Sequence, residues 1–462
     1  MTGIRLESLD RCFHGIIPGV IATTDRDGVP NVSYLSQLHL IDERHVALSC
    51  QFFNKTRQNL DENPRATIEL YDPLTFEAYR LRLRFLRSET SGPLFDAMAV
   101  RILAIASHCG MAGIFKLRSA DVCEVESIEK KEGYITVAPE DSNIQRTLPE
   151  GPLTELRGLQ LVSDRVMRAP DLESLLSGAL AALDEVFGFS HGMILMPSDD
   201  GRGLVTVASH GYADEGIGAE VRFGEGLIGA VAETRKLLRV SSVTSDLRYG
   251  RAIRGEYEQR AGETKLGAEI PLPGLPDAKS QMAIPLVVQD RLIGVLALEC
   301  RDTLTFSEWH EAFLQVLANQ IASGIDRMSG REEPDVPAPV VAAAPVVPAA
   351  PRKQRRSFCY YKNDDCVFVD GEYLIRNVPG KILWKILRAH QSDRRAEFSN
   401  RELRLDPSLG LPAFKDNLES RLILLRKRLE QKCPDIRIVP TKRGRFALSV
   451  ECDVELVERE TA

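Results

Sequence analysis

Three polar residues, Asn54, Lys55 and Thr56, stand together at the start of a short helical run that Pro64 stops. An ammonium, a hydroxyl and the free N–H groups of a helix start form an anion site of the kind that takes a phosphate. The same residues also suit an N-cap with a solvated lysine, and taken alone they leave both readings open. A second set lies in AFKDNLESRLILLRKRLEQK, near the other end of the chain. There Leu418, Leu422, Leu425 and Leu429 fall on one helical face, while Lys415, Asn417, Ser420, Arg421 and Arg428 supply a polar, basic one. Arginine and asparagine make bidentate hydrogen bonds to guanine and adenine, so Asn417, Ser420 and Arg421 are the candidates for reading base edges.

Charge and composition divide the chain that must position these residues. It has 462 residues with 59 Lys+Arg against 66 Asp+Glu, a net charge of −7, and that length predicts about three domains. With 44% hydrophobic and 27% charged residues, the composition is that of a globular protein and not of a disordered one. The clearest boundary is Pro334–Pro351, PDVPAPVVAAAPVVPAAP, where 6 of 18 residues are Pro and 6 are Ala. Prolines this dense fix φ and remove donors, which predicts an extended, semi-rigid spacer. Residues 352–446 hold 23 Lys+Arg and 12 Asp+Glu, a net of +11, whereas the remainder holds 36 and 54, a net of −18. Such asymmetry predicts a nucleic-acid or membrane contact on the basic side. No apolar run reaches the roughly 18–20 residues of a membrane span, so no membrane partner is expected. The N-terminal MTGIRLESLDRCF carries no apolar signal region. Nine scattered cysteines, with no C-x-x-C pair and no Cys/His cluster, argue against a zinc or iron–sulfur site and for reduced thiols in the cytoplasm.

The N-terminal part reads as β-rich. DRDG at Asp25–Gly28 marks a hairpin, IDER at Ile41–Arg44 a second turn, and RLRLRFLRS at Arg80–Ser88 a half-buried strand. A helix from Thr56 to Glu62, an amphipathic helix over Leu94–Ser107 and a strand from Asp121 to Lys130 complete the pattern. The stretches DGVPNVSYLSQLHLIDERHVALS, CQFFNKTRQNLDENPRATI and GIFKLRSADVCEVESIE resemble the pyridoxamine-phosphate-oxidase-like FMN-binding split barrel over residues 8–130. The resemblance implies that Asn54, Lys55 and Thr56 bind the FMN phosphate and that Ser49 and Gln51 face the flavin. The Arg-rich signature that holds pyridoxal phosphate in the true oxidases is not found, so the expected cofactor is FMN, with haem or none as alternatives.

From Leu153 helical periodicity begins, then DLESLLSGALAALDEVFG follows with an Asp cap. FSEWHEAFLQVLANQIASGID closes the unit, capped by Ser307 with His310 in the place of the usual glutamate. GEGLIGAVAET, AIPLVVQDRLIGVLALE and LQVLANQIASGI together resemble a GAF domain over residues 156–327, which implies a small-molecule pocket or a dimerising signalling module. In that family the segment Thr244–Gly262 covers the pocket. Its Arg248, Tyr249, Arg251 and Arg254 suit either an anion or a solvated loop, and the solvated loop is the favoured reading.

Beyond the spacer, strands, three helices and a terminal hairpin predict a winged helix-turn-helix. DGEYLIRNVPGKILWKIL, FSNRELR, LLRKRLEQK and TKRGRFAL resemble the OmpR-type DNA-binding domain over residues 358–450. The resemblance implies that Lys442, Arg443 and Arg445 form a wing that meets phosphates or the minor groove. Leu424 stands where that family usually has a polar residue. The expected architecture is therefore a multidomain α+β chain: a split barrel over 1–145, a GAF α/β sandwich over 153–328, a linker over 330–356 and a winged helix over 357–452. The expected function is a one-component, DNA-binding transcriptional regulator that senses a small molecule or redox state, as a homodimer on double-stranded DNA. An FMN-dependent oxidoreductase with accessory domains is the alternative, and a third reading makes both upstream units dimerisation scaffolds.

Overall fold

The computed structural model describes residues 4–35, 37–51, 55–131, 152–212, 216–261, 274–329, 355–363, 365–411, 418–442 and 444–460. The spacer Pro334–Pro351 lies outside them.

The N-terminal unit contains β1 (Val20–Thr24), β2 (Pro30–Tyr34), β3 (Leu38–Leu40), β4 (His45–Cys50), α1 (Lys55–Glu62), β5 (Arg65–Tyr71), β6 (Ala78–Glu89), α2 (Pro93–His108) and β7 (Ser119–Lys131). The strands form one seven-stranded sheet in the order β2-β1-β5-β6-β7-β4-β3. The turn at Asp25–Gly28 joins β1 to β2 antiparallel, with Gly28 at φ 82° and Asp25 Oδ1 accepting from the Val29 N–H at 2.8 Å. Alternation in β5 and β6 places Ile68, Leu70, Leu81 and Leu83 inside, each at most 1% exposed.

The middle unit contains α3 (Pro152–Arg168), α4 (Leu172–Phe187), β8 (His191–Pro197), β9 (Gly203–His210), β10 (Glu220–Arg222), α5 (Gly226–Thr234), β11 (Leu238–Val240), α6 (Val243–Ala261), β12 (Ser280–Val288), β13 (Arg291–Cys300) and α7 (Glu308–Ser329). Its six strands run β10-β9-β8-β13-β12-β11. One sheet face and α3, α4 and α7 enclose a core that includes Leu175, Ile284, Leu296, Leu317 and Ile321. Asp171 caps α4 through the Ser174 N–H at 2.8 Å. At α7 the Ser307 N–H donates to His310 Nδ1 at 3.0 Å while the His310 N–H donates to Ser307 Oγ at 3.4 Å, so histidine completes a reciprocal cap.

The C-terminal unit contains β14 (Arg355–Tyr361), β15 (Cys366–Val369), β16 (Glu372–Ile375), α8 (Asn377–Asp393), β17 (Glu397–Ser399), α9 (Asn400–Arg404), α10 (Leu418–Lys432), β18 (Ile436–Lys442), β19 (Arg445–Val450) and β20 (Asp453–Arg459). They make a four-stranded sheet, β16-β15-β14-β20, and a three-stranded one, β17-β19-β18. Ser399 caps α9 through the Glu402 N–H at 3.2 Å. Strand β20, beyond the expected end of the unit, runs parallel to β14 from Arg355↔Asp453 to Tyr361↔Arg459 and turns Val454 and Leu456 to the core.

Helix α2 departs from its amphipathic reading. Met98, Val100, Ile102, Ala104, Ile105 and Ala106 are all at most 7% exposed, because the helix lies between the N-terminal sheet and helices α5 and α6 of the middle unit. Arg101 on this helix forks onto Asp246 of α6 at 2.8 and 2.9 Å and also donates to the His14 carbonyl at 2.9 Å. At the end of α2, Ser107 Oγ and His108 Nε2 accept from the first N–H groups of α5, at Gly226 (2.6 Å) and Leu227 (3.3 Å). Gly226 is required there: its φ is 64°, and a Cβ would stand 2.9 Å from His108 Cε1. Breaking a buried ion pair strands the surviving charge, so Arg101→Met should cost about 3–5 kcal/mol. Arg101→Met with Asp246→Leu should recover most of that loss, as read by denaturant unfolding of the full chain.

Candidate functional site

At the barrel end, β4 presents Ser49 and Gln51 follows directly after it, and the two touch: Gln51 Nε2 donates to Ser49 Oγ at 3.3 Å. Lys55 and Thr56 begin α1, while Asn54 lies outside the described residues. Lys55 Nζ stands 3.2 Å from Asp25 Oδ2, and Thr56 Oγ1 accepts from Asn31 Nδ2 at 3.0 Å. The Val29 N–H, with Lys55 adding to it, holds the Asp25 carboxyl below the ordinary range. An incoming phosphate would therefore have to displace the Asp25 carboxylate from Lys55. Beside Gln51, the Oε1 atom of Gln37 is buried without a hydrogen-bond partner. Both side chains line a cavity of about 20 Å³ closed by Arg101, Phe115, Asp246 and Tyr249, about the room one water needs. The ammonium and hydroxyl at α1 fit a phosphate, and Ser49 and Gln51 stand on the same side of the barrel end.

The segment Thr244–Gly262 is not a solvated loop. Residues Thr244–Ala261 of it form most of α6, with Asp246 buried against Arg101 and Arg254 Nη1 donating to the Cys109 carbonyl at 2.8 Å; Gly262 lies outside the described residues. Arg248 and Arg251 are exposed, while Tyr249 and Arg254 are half-buried. Sequence reasoning missed a polar cluster within the same domain. Glu299 sits on β13, only 2% exposed, and accepts from Tyr212 Oη (2.8 Å), the Leu275 N–H (2.7 Å) and Gln281 Nε2 (2.7 Å). Burial raises its pKa to about 7 against these three donors. The one available signal was an acidic residue at the end of the apolar run LIGVLALEC.

On α10, Leu418, Leu425 and Leu429 are fully buried in the C-terminal core and Leu422 packs against it. The opposite side, expected to face DNA, is polar but covered. Ser420 is 7% exposed and Ile423 is 5% exposed within the GAF core cluster. Arg421 Nε bonds Asp199 Oδ1 at 2.6 Å, and Arg428 Nε donates to the Leu374 carbonyl at 3.1 Å. Lys415, Asn417 and Arg443 lie outside the described residues; Lys442 pairs with Arg445 across β18–β19, and Arg445 is exposed.

Residues 7–114 match the family model described as pyridoxamine 5'-phosphate oxidase, and residues 169–326 match that of the GAF domain. The chain joins a pyridoxamine-phosphate-oxidase-like domain to a GAF domain. Among solved structures, the GAF domain of an Acinetobacter phosphoenolpyruvate-protein phosphotransferase is similar at 18% identity and a TM-score of 0.32, over 40% of this chain and 100% of that one. A free methionine-R-sulfoxide reductase from Neisseria meningitidis is similar at 17% identity and a TM-score of 0.30, over 39% and 95%. An FMN-binding protein from Syntrophomonas wolfei is similar at 18% identity and a TM-score of 0.23, over 28% and 89%. No curated protein matches the chain. Among the described residues no helix is long and apolar enough to cross a membrane, and no group of side chains is arranged to hold a metal ion.

Glu299 generates a pH dependence. Its folded pKa of about 7 lies above the ordinary 4.5, so the protonated carboxyl stabilises the GAF domain fully below pH 4.5, and that contribution is lost as pH rises to about 7. The loss should reach about 3 kcal/mol, measured by urea unfolding at pH 5 and pH 8. Glu299→Gln should flatten the profile across that window.

Proposed function

We propose that the protein is a one-component transcriptional regulator in which the oxidase-like and GAF domains form the sensory part and the C-terminal unit is a winged helix that binds DNA. The observation that carries this reading is the make-up of the C-terminal unit. Helices α8, α9 and α10 are followed by the hairpin β18–β19, on the segment whose net charge is +11. Arg445 is exposed at that hairpin, where a cation can meet a phosphate. Asn417, Ser420 and Arg421 are assigned to base edges, and Lys415, Arg428, Lys442, Arg443 and Arg445 to the backbone. The sensed ligand belongs to the two upstream domains: a flavin at the Lys55–Thr56 end of the barrel, or a small molecule in the GAF domain. The regulator acts as a homodimer, which the exposed Leu156, Met167, Trp309 and Val316 on the neighbouring helices α3 and α7 support.

An absorption spectrum of the purified chain tests the cofactor: oxidised-flavin bands support FMN, a Soret band replaces it with haem, and a blank spectrum moves sensing to the GAF domain. DNA binding is tested by titrating duplex DNA at several salt concentrations. Log K should fall linearly with log salt, by about 0.9 per phosphate contact, and Lys442→Ala or Arg445→Ala should each lower that slope by about one. No duplex binding at low salt would falsify the regulator reading.

A further inference from the structure

The face of α10 assigned to DNA is occupied by the GAF domain, and the occupants are acidic. Asp199, just after β8, takes Arg421; Glu173, in the first turn of α4, takes Arg426; and Glu220, on β10, takes Arg376 at the start of α8, Nε to Oε1 at 3.1 Å. The Arg421 and Asp199 side chains are only 14% and 19% exposed, so this pair is withdrawn from solvent. Three carboxylates far apart in sequence thus converge on three arginines of one basic unit.

An apolar contact accompanies the charge. At about 100° per residue, Ser420, Ile423 and Leu424 lie on the side of α10 away from Leu418, Leu425 and Leu429. Ile423 is buried in the GAF core cluster, and Leu424, which also packs against the C-terminal core, sets a methyl 3.2 Å from where a Cβ on Gly218 would stand. The leucine found where the OmpR-type pattern is polar therefore has its partner within the same chain. The fit is incomplete, because clefts of about 210 and 260 Å³ flank α10 where it meets the GAF domain. A contact held by partly buried charge and a few apolar anchors, with open clefts on both sides, has the character of a reversible interface and not of a core.

We propose that the GAF domain is an intramolecular competitor for DNA: its Asp199, Glu173 and Glu220 carboxylates occupy the arginines of the C-terminal unit in place of phosphates, and DNA binds only when α10 undocks. This rests on the DNA-binding reading above. Docking and DNA share Ser420 and Arg421, so the two are mutually exclusive, and the docked fraction lowers the apparent DNA affinity in proportion. A ligand of the sensory domains acts by shifting that fraction, which requires that it bind the docked and undocked chains with different affinity.

The experiment uses the full chain. Asp199→Asn with Glu173→Gln removes two of the three carboxylates without adding positive charge. Glu220→Gln provides a second route that leaves the contacts of α10 itself intact. Asp277→Asn with Glu129→Gln makes the same charge change far from α10, as a control. Small-angle scattering reads docking, and titration with a random-sequence duplex reads DNA affinity. The expected result is a larger radius of gyration and at least tenfold tighter DNA binding for the double variant. Glu220→Gln should shift the same way to a smaller extent, and the control pair should match the wild type. The proposal is overturned if the double variant stays as compact as the wild type, or if it opens with no gain in affinity. If the variant opens and neither protein binds DNA, the docking contact stands while the DNA reading fails and the competition with it.

Discussion

Helix α2 is the constraint on which the arrangement of the upstream domains depends. It belongs by sequence to the oxidase-like domain, yet its apolar residues complete a core on the GAF sheet. Fully burying a side chain such as Met98 or Ile102 is worth about 1.5–3 kcal/mol, and α2 does this on both its sides. Two polar devices fix how the domains meet. The Arg101–Asp246 fork sets the register between α2 and α6, and Ser107 with His108 accepts the orphan N–H groups of α5. The negative end of one helix dipole thereby faces the positive end of another. Sliding either domain along α2 would expose these groups.

The same constraint bears on ligand binding. The cavity shared by Gln37 and Gln51 is walled by α2 and by Asp246 and Tyr249 of α6, so its size depends on how the GAF domain sits. Glu299 faces the same half of the GAF domain, next to Ala297 and Val295 whose side chains pack towards α5.

At the other end, electrostatics joins the basic unit to the acidic part of the chain. With β20 counted in the C-terminal unit, residues 352–462 carry +7 and residues 1–351 carry −14, which makes attraction between the two parts the default. Placement of Asp199, Glu173 and Glu220 turns that general attraction into three specific pairs. The basic character of α10 thus has two possible customers, phosphate and carboxylate, and both use the same guanidinium geometry.

Much of the fold was legible because it is local. Period-two alternation in RLRLRF, the turn at Asp25–Gly28, the Ser399–Glu402 spacing and the Ser307–His310 cap each depend on residues within a few positions, and each appears as the pattern indicates. The families of the first two domains were legible for the same reason, since their turns and strand runs are short-range. What the sequence could not express is which surface covers which. The hydrophobic residues of α2 read as one apolar face, and only the tertiary structure supplies a second domain to bury the other. Leu424 and Ile423 look misplaced on a basic helix until the GAF surface at Gly218 is set against them. Strand β20 alternates over Asp453–Leu456, but that pattern does not say which strand it joins, and its place is decided by the edge of β14. Composition and periodicity determined the elements and the charge of each unit; long-range burial and ion pairing decided which side chains remain available, because those energies exist only between residues that the chain brings together.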